Sequence, residues 1–194
     1  MRNKLVLKWI YLHDIVFLSE IKYNVIFNVP GYKTVLGSHT YGTHGGVAML
    51  FRNHIFESVY MIDKSCEEQI WFKLSFLPDV LFGGCYVVPS DSIYFLPHYH
   101  ANIQSMCLSH QGDCVIFGDL NARCGHDVKS LINIPDFTYS PVDNVSRPNS
   151  NGQSLLQICR DCDLLVVNNL KTPNVTLHGA LTFRKKLPGF QKLI

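Results

Sequence analysis

Between residues 45 and 88 the chain carries four strand-like runs and no segment that reads as a helix. The runs are 45–51, which starts at the pair Gly45-Gly46, then 57–63, then 69–76 with alternation at Ile70, Phe72, Leu74 and Phe76, and finally 80–88, which stops at Pro89. Parallel neighbours need a crossover of a dozen or more residues, usually a helix, whereas antiparallel neighbours need only a tight turn. A doubly wound parallel sheet is therefore excluded for this stretch. Strands are also expected at 14–20, 114–118, 164–168 and 181–184. Helical spacing appears at Leu5, Trp9 and Leu12, through 95–110 at Leu96, Tyr99, Ile103 and Met106, and after Asn151 at Leu155, Leu156, Cys159 and Cys162. Residues 122–150 are rich in Pro, Asn and Asp and read as a long loop. Many strands with few helices point to an α/β (α+β) sandwich: two mixed or antiparallel sheets packed face to face, with helices outside.

The composition supports a packed core. Hydrophobic residues make up 47% of the 194 and charged residues 16%, which excludes general disorder and suits one domain spanning 1–194. Lys and Arg number 17 against 15 Asp and Glu, so any nucleic-acid contact must come from local patches. No apolar run reaches the length of a membrane span, and no membrane partner is expected. Lys8 and His13 interrupt the apolar N-terminal stretch and no small-residue cleavage site follows, so no signal peptide is expected. The seven cysteines are odd in number and scattered, which fits reduced thiols in an intracellular protein, with the nucleus as a candidate compartment. Cys124, His126, Cys159 and Cys162 form a conceivable zinc set, but buried apolar thiols are the favoured reading.

Four polar groups fall at the ends of expected strands, where a scaffold can aim side chains into one cleft. Asp14-Ile-Val-Phe-Leu-Ser-Glu20 delivers Glu20, whose carboxylate suits a hard cation such as Mg²⁺. The strand ending Tyr86-Val-Val-Pro89 delivers a phenol able to donate to a phosphate. Cys114-Val-Ile-Phe-Gly118 runs into Asp119-Leu-Asn121. In an extended segment positions two apart share a face, so Asp119 and Asn121 are expected to point together. A carboxylate can orient and deprotonate water, and a neutral amide can donate to phosphate oxygen without titrating. Asp-x-Asn also caps turns in many proteins, and that reading stays open.

Together these segments resemble the endonuclease/exonuclease/phosphatase superfamily. Glu20, Gly45-Gly-Val-Ala, Tyr86-Val-Val-Pro, Gly118-Asp-Leu-Asn-Ala and Asn151-Gly-Gln-Ser-Leu-Leu-Gln-Ile-Cys stand in that family's order. The helix followed by Leu-Leu-Val-Val-Asn-Asn, and Leu-Thr-Phe at 181–183, is similar to the endonuclease domain of non-long-terminal-repeat retrotransposons, itself related to apurinic/apyrimidinic endonucleases. The resemblance implies a four-layer sandwich with two central sheets and the active site at one sheet edge. It implies DNA as partner, with no obligate protein partner, and Mg²⁺ (or Mn²⁺) as cofactor. Glu20 takes the place of the metal-binding glutamate, Tyr86 of the phosphate-contacting tyrosine, Asp119 of the water-activating aspartate and Asn121 of the charge-stabilising asparagine. Thr182 takes the place of a DNA-backbone contact. The implied reaction is in-line hydrolysis of a DNA phosphodiester, and loops at 90–95, 123–150 and 170–180 would set target preference.

The family's first strand, with its asparagine, and its closing Asp and Asp-His motifs have no counterpart in the sequence. The expectation is a domain lacking its first and last strands, with 187–194 an unrelated tail and His126 and His178 ordinary surface histidines. Two alternatives stay beside the endonuclease reading. One is a non-catalytic remnant with weak DNA binding, and the other is a phosphatase of the same superfamily.

Overall fold

A computed structural model of the protein describes residues 4–22, 28–38, 45–127, 138–139, 147–167, 170–171 and 181–183. The expected tail 187–194 and His178 lie outside them. The elements run α1 (Lys4–Ile10), β1 (Ile15–Leu18), β2 (Tyr32–Leu36), β3 (Ala48–Arg52), α2 (Asn53–Phe56), β4 (Val59–Asp63), β5 (Gln69–Leu74), β6 (Leu77–Tyr86), α3 (His98–Ser109), β7 (Asp113–Asp119), β8 (Thr138–Tyr139), α4 (Ser150–Asp161), β9 (Leu170–Lys171) and β10 (Leu181–Phe183).

Two sheets form the centre of this α/β fold. One is antiparallel, in the order β1-β3-β2, and the other is mixed, in the order β10-β7-β6-β5-β4. The stretch expected to hold no helix contains one short turn of it, α2, which links β3 to β4 in the other sheet, and beyond it β4, β5 and β6 pair antiparallel in succession as their short connections require. Among the described residues, the one parallel pair of strands, β6 with β7, is bridged by α3. β8 and β9 make a separate two-stranded ladder, the former inside the stretch read as loop.

The sheets pack face to face through aromatic rings. Phe51 on β3 meets Phe72 on β5 edge-on, with centroids 4.9 Å apart, and Phe17 on β1 meets Phe117 on β7 in the same way. Gly84 on β6 lies beneath Phe17 and Met49, where a Cβ would strike both. Along β3 the alternation is strict: Met49 and Phe51 face the five-stranded sheet, while Leu50 faces outward and joins Ile10 of α1, Val16 and Tyr32. The Tyr32 hydroxyl reaches back to the Ile10 and His13 carbonyls. On the far side, α3 and α4 cover the five-stranded sheet. There Gln69 donates to the Tyr99 carbonyl and accepts from the Trp71 indole. The layers are therefore α1, three strands, five strands, and α3 with α4.

Two expectations are corrected. β2 was not foreseen in the sequence. It is an outer strand of its sheet, only Tyr32 among its residues is buried, and so its apolar alternation is weak. Leu164, Leu165, Val166 and Val167 were read as a strand. They are buried but carry no strand assignment, because an apolar run signals burial and not ladder pairing.

Candidate active site

The carboxyl ends of β1, β6 and β7 converge. The parallel register of β6 and β7 sets Cys85 beside Gly118 and Tyr86 beside Asp119, so the last residues of both strands are neighbours. Gly118 has φ +130°, and a Cβ there would run into the Cys85 carbonyl oxygen and the Phe17 ring. Only glycine lets the two backbones close at this point.

From the other sheet, Glu20 follows β1 with φ +55°, and its carboxylate accepts a 2.6 Å hydrogen bond from the Tyr86 hydroxyl. Tyr86 is buried while Glu20 is exposed. Burial is the first cause that pushes the Tyr86 phenol well above its ordinary pKa. The bond to Glu20 and the negative charges of Glu20, Asp119 and Glu68 push the same way. The phenol is therefore held protonated and serves as a donor.

Beyond Asp119 the chain departs from the extended geometry expected. Its Oδ1 accepts from the Asn121 backbone N–H at 2.9 Å, and Asn121 has φ +46°. The segment is thus an aspartate-capped turn, the alternative the sequence had left open, and period-two alternation does not align the two side chains. Instead the Asn121 amide donates to the Val87 carbonyl at 2.9 Å, one residue beyond Tyr86, while Val87 N–H donates to the Asp119 carbonyl. The two strand ends are laced together beyond the ladder.

Two asparagines at the start of α4 hold this turn. Asn149 caps the helix, its Oδ1 accepting from Gly152 N–H at 2.8 Å and from Arg123 N–H at 2.9 Å, while its Nδ2 donates to the Asn121 carbonyl at 2.9 Å. Asn151 is fully buried and donates to the Val88 and Leu120 carbonyls, one from each strand-end loop. Neither role was foreseen. A Pro-Asn-Ser-Asn run before an apolar helix is a legible cap signal, but its reach to the Asp-x-Asn turn is set by the tertiary fold.

A cavity of about 400 Å³ opens on the Glu20 side, lined by Glu20, Lys22, Glu68, Tyr86, Tyr94 and Tyr99 among others. Asp119 and Asn121 are not among its lining residues; strand register holds Asp119 next to Tyr86. Thr182 pairs with Ile116 on β7, with Phe117 and Gly118 between that position and Asp119, and its side chain lies outside the described residues.

The donor set suits some metals and not others. Among the described residues, no group of three His, Cys, Asp or Glu side chains could hold an ion. A tight protein cage is not what Mg²⁺ needs. It keeps several waters and binds through one or two carboxylates plus substrate phosphates. Glu20, exposed and lining the cavity, fits that mode. Six of the seven free cysteines are buried, as their scatter in the sequence implied. Burial raises the thiol pKa of Cys85 and Cys159, and the Cys107 thiol hydrogen-bonds with Cys114 and Cys162.

Two packed sheets lie under helices, with a carboxylate, a phenol and an aspartate-capped turn at one end of their strands. A family model described as Endonuclease/Exonuclease/phosphatase family matches residues 1–157, and the chain belongs to that family. The family's chemistry is hydrolysis of phosphodiesters or phosphate esters, and its members typically use divalent metals. No curated protein matches the chain. No helix among the described residues is long and apolar enough to cross a membrane.

Proposed function

We propose that the protein is a Mg²⁺-dependent endonuclease that hydrolyses DNA phosphodiesters, of the kind found in non-long-terminal-repeat retrotransposons. The observation that carries the reading is the 2.6 Å bond from Tyr86 to Glu20, with Asp119 beside Tyr86 in register. It unites a cation-binding carboxylate and a protonated donor at one opening, with a second carboxylate beside the donor in strand register. The retrotransposon assignment is supported by the resemblance of the sequence from Asn151-Gly-Gln-Ser-Leu-Leu through Leu-Leu-Val-Val-Asn-Asn to those domains.

In this mechanism Asp119 orients the attacking water and takes its proton, which its exposure allows; as the new oxygen–phosphorus bond forms, the bond from phosphorus to one sugar oxygen breaks, and that oxygen leaves and takes a proton from solvent. Tyr86 and Asn121 donate to non-bridging phosphate oxygens as negative charge develops, each acting from a position fixed before substrate arrives. Tyr86 has one hydrogen, so donation to Glu20 and donation to phosphate are alternatives, exchanged by rotation about its C–O bond. Glu20 would hold the divalent ion, which supplies charge neutralisation on the phosphate. The nearly balanced net charge of +2 fits transient and not tight DNA contact.

Hydrolysis of a duplex DNA and of a phosphoinositide, compared with Mg²⁺ and with chelator, tests the reading. Strand cleavage of DNA that is lost on chelation and in Asp119→Ala is expected. Release of phosphate from the phosphoinositide alone would replace the nuclease reading with a phosphatase one.

A further inference from the structure

We propose that Glu68 is a positioning residue that locks the Glu20–Tyr86 pair in its working geometry, an inference that rests on the reading above. Glu68 opens the segment leading into β5 and is 3% exposed, among the few buried charged residues described. Both its carboxylate oxygens accept from a single backbone N–H, that of Gly46, at 2.9 and 3.0 Å. Gly45 and Gly46 in turn carry the Glu20 segment: their carbonyls accept from Lys22 N–H at 3.0 Å and Ile21 N–H at 3.1 Å. The Glu68 backbone carbonyl accepts from Tyr86 N–H at 2.9 Å. One residue thus grips the turn behind Glu20 with its side chain and the end of the Tyr86 strand with its backbone, across the two sheets.

Four further observations point the same way. Glu68 has φ +57°, a conformation costly for a residue with a side chain and kept only where the surroundings impose it. Gly45 and Gly46 have φ +75° and +90°, so the turn they form has no intrinsic preference for one shape and depends on an outside anchor. Glu20 and Lys22 also have positive φ, at +55° and +47°, so the loop that Gly45 and Gly46 support is itself poorly favoured alone. Glu68 lines the same cavity as Glu20 and Tyr86, and its charge adds to those that keep the phenol protonated. Groups that orient a metal-binding side chain are typically worth 10- to 100-fold in metal affinity or activity.

Amide hydrogen exchange and steady-state kinetics on Glu68→Gln and Glu68→Ala test the proposal. Glu68→Gln keeps an acceptor oxygen and the side-chain volume, so it retains the fold if Glu68→Ala does not. Faster exchange at Gly46, Ile21 and Lys22 is expected in either variant, with exchange unchanged in the paired residues of β5 and β6. About a 10- to 100-fold fall in kcat is expected in Glu68→Gln, with KM for DNA unchanged and a raised Mg²⁺ half-saturation. Unchanged exchange at those three amides overturns the proposal. Altered exchange with wild-type kcat also overturns it, since Glu68 would then be structural only. If the wild-type protein cleaves no DNA above Asp119→Ala, the nuclease reading falls, and the exchange data alone decide whether Glu68 anchors the loop.

Discussion

Replacing Asn149 by alanine should be felt at two places, the start of α4 and the turn after Asp119. The side chain makes three hydrogen bonds to backbone, at 2.8, 2.9 and 2.9 Å, and is half-buried. Loss of the helix cap costs about 1 kcal/mol. The bonds to Arg123 N–H and the Asn121 carbonyl are each worth about 1 kcal/mol net. The sum is about 3 kcal/mol, and for a chain of this size it lowers Tm by roughly 6–12 °C. Asn149→Asp separates the parts: it keeps the accepting oxygen and loses the donor to Asn121, so the expected loss is about 1 kcal/mol. Activity should fall in both variants, because Asn121 is held at φ +46° partly by that donor. Urea unfolding followed by tryptophan fluorescence measures the stabilities. If Asn149→Ala stays within about 0.5 kcal/mol of wild type, the size of a neutral surface change, the reasoning about this asparagine is refuted.

Other expectations follow from single contacts. Tyr86→Phe removes a donor whose partner, Glu20, is exposed, so stability should change by about 1 kcal/mol or less while kcat falls about 100-fold; equal kcat would remove Tyr86 from the mechanism. Gly118→Ala drives a methyl into the Cys85 carbonyl at a disfavoured φ and should cost about 2–5 kcal/mol by thermal melt. Burial lowers the His100 pKa below its ordinary value, so the unfolded chain takes up the proton first as pH falls. Stability from this residue is present above about pH 6.5 and lost as pH drops through the lowered folded value. Melts at pH 7.5 and 5.0 should therefore differ less in His100→Gln than in wild type.

The two-sheet architecture was readable because it rests on connection length and alternation. The short connections between β4, β5 and β6 leave no room for a crossover and force them to pair antiparallel, and that is how they pair. Phe51 and Phe72 were legible as apolar strand residues, although their edge-on contact across the sheets was not. β2 escaped notice because an outer strand with half-exposed residues has little periodic signal. The 164–167 run misled because burial alone does not create a ladder.

At the site, Glu20, Tyr86, Asp119 and Asn121 were legible as polar residues stopping apolar strands. Their convergence could not come from any one segment, since it depends on the parallel register of β6 and β7 and on Glu20 arriving from the other sheet. The alignment of Asp119 with Asn121 was misjudged for a local reason: a carboxylate accepting from the backbone two residues on converts an extended segment into a turn. Glu68 gave no signal at all. Between Glu67 and Gln69 nothing in the sequence separates a buried anchor from a solvated charge, and only its two bonds to Gly46 do so.

The central claim is that this cluster of strand-end residues hydrolyses DNA with a divalent ion. Nicking of supercoiled plasmid by the purified protein, titrated with Mg²⁺ and set against Asp119→Ala, tests it most directly. The account predicts nicking that rises with Mg²⁺, vanishes with chelator and drops at least 100-fold in the variant. Wild-type nicking no faster than that of Asp119→Ala at every Mg²⁺ concentration would contradict it.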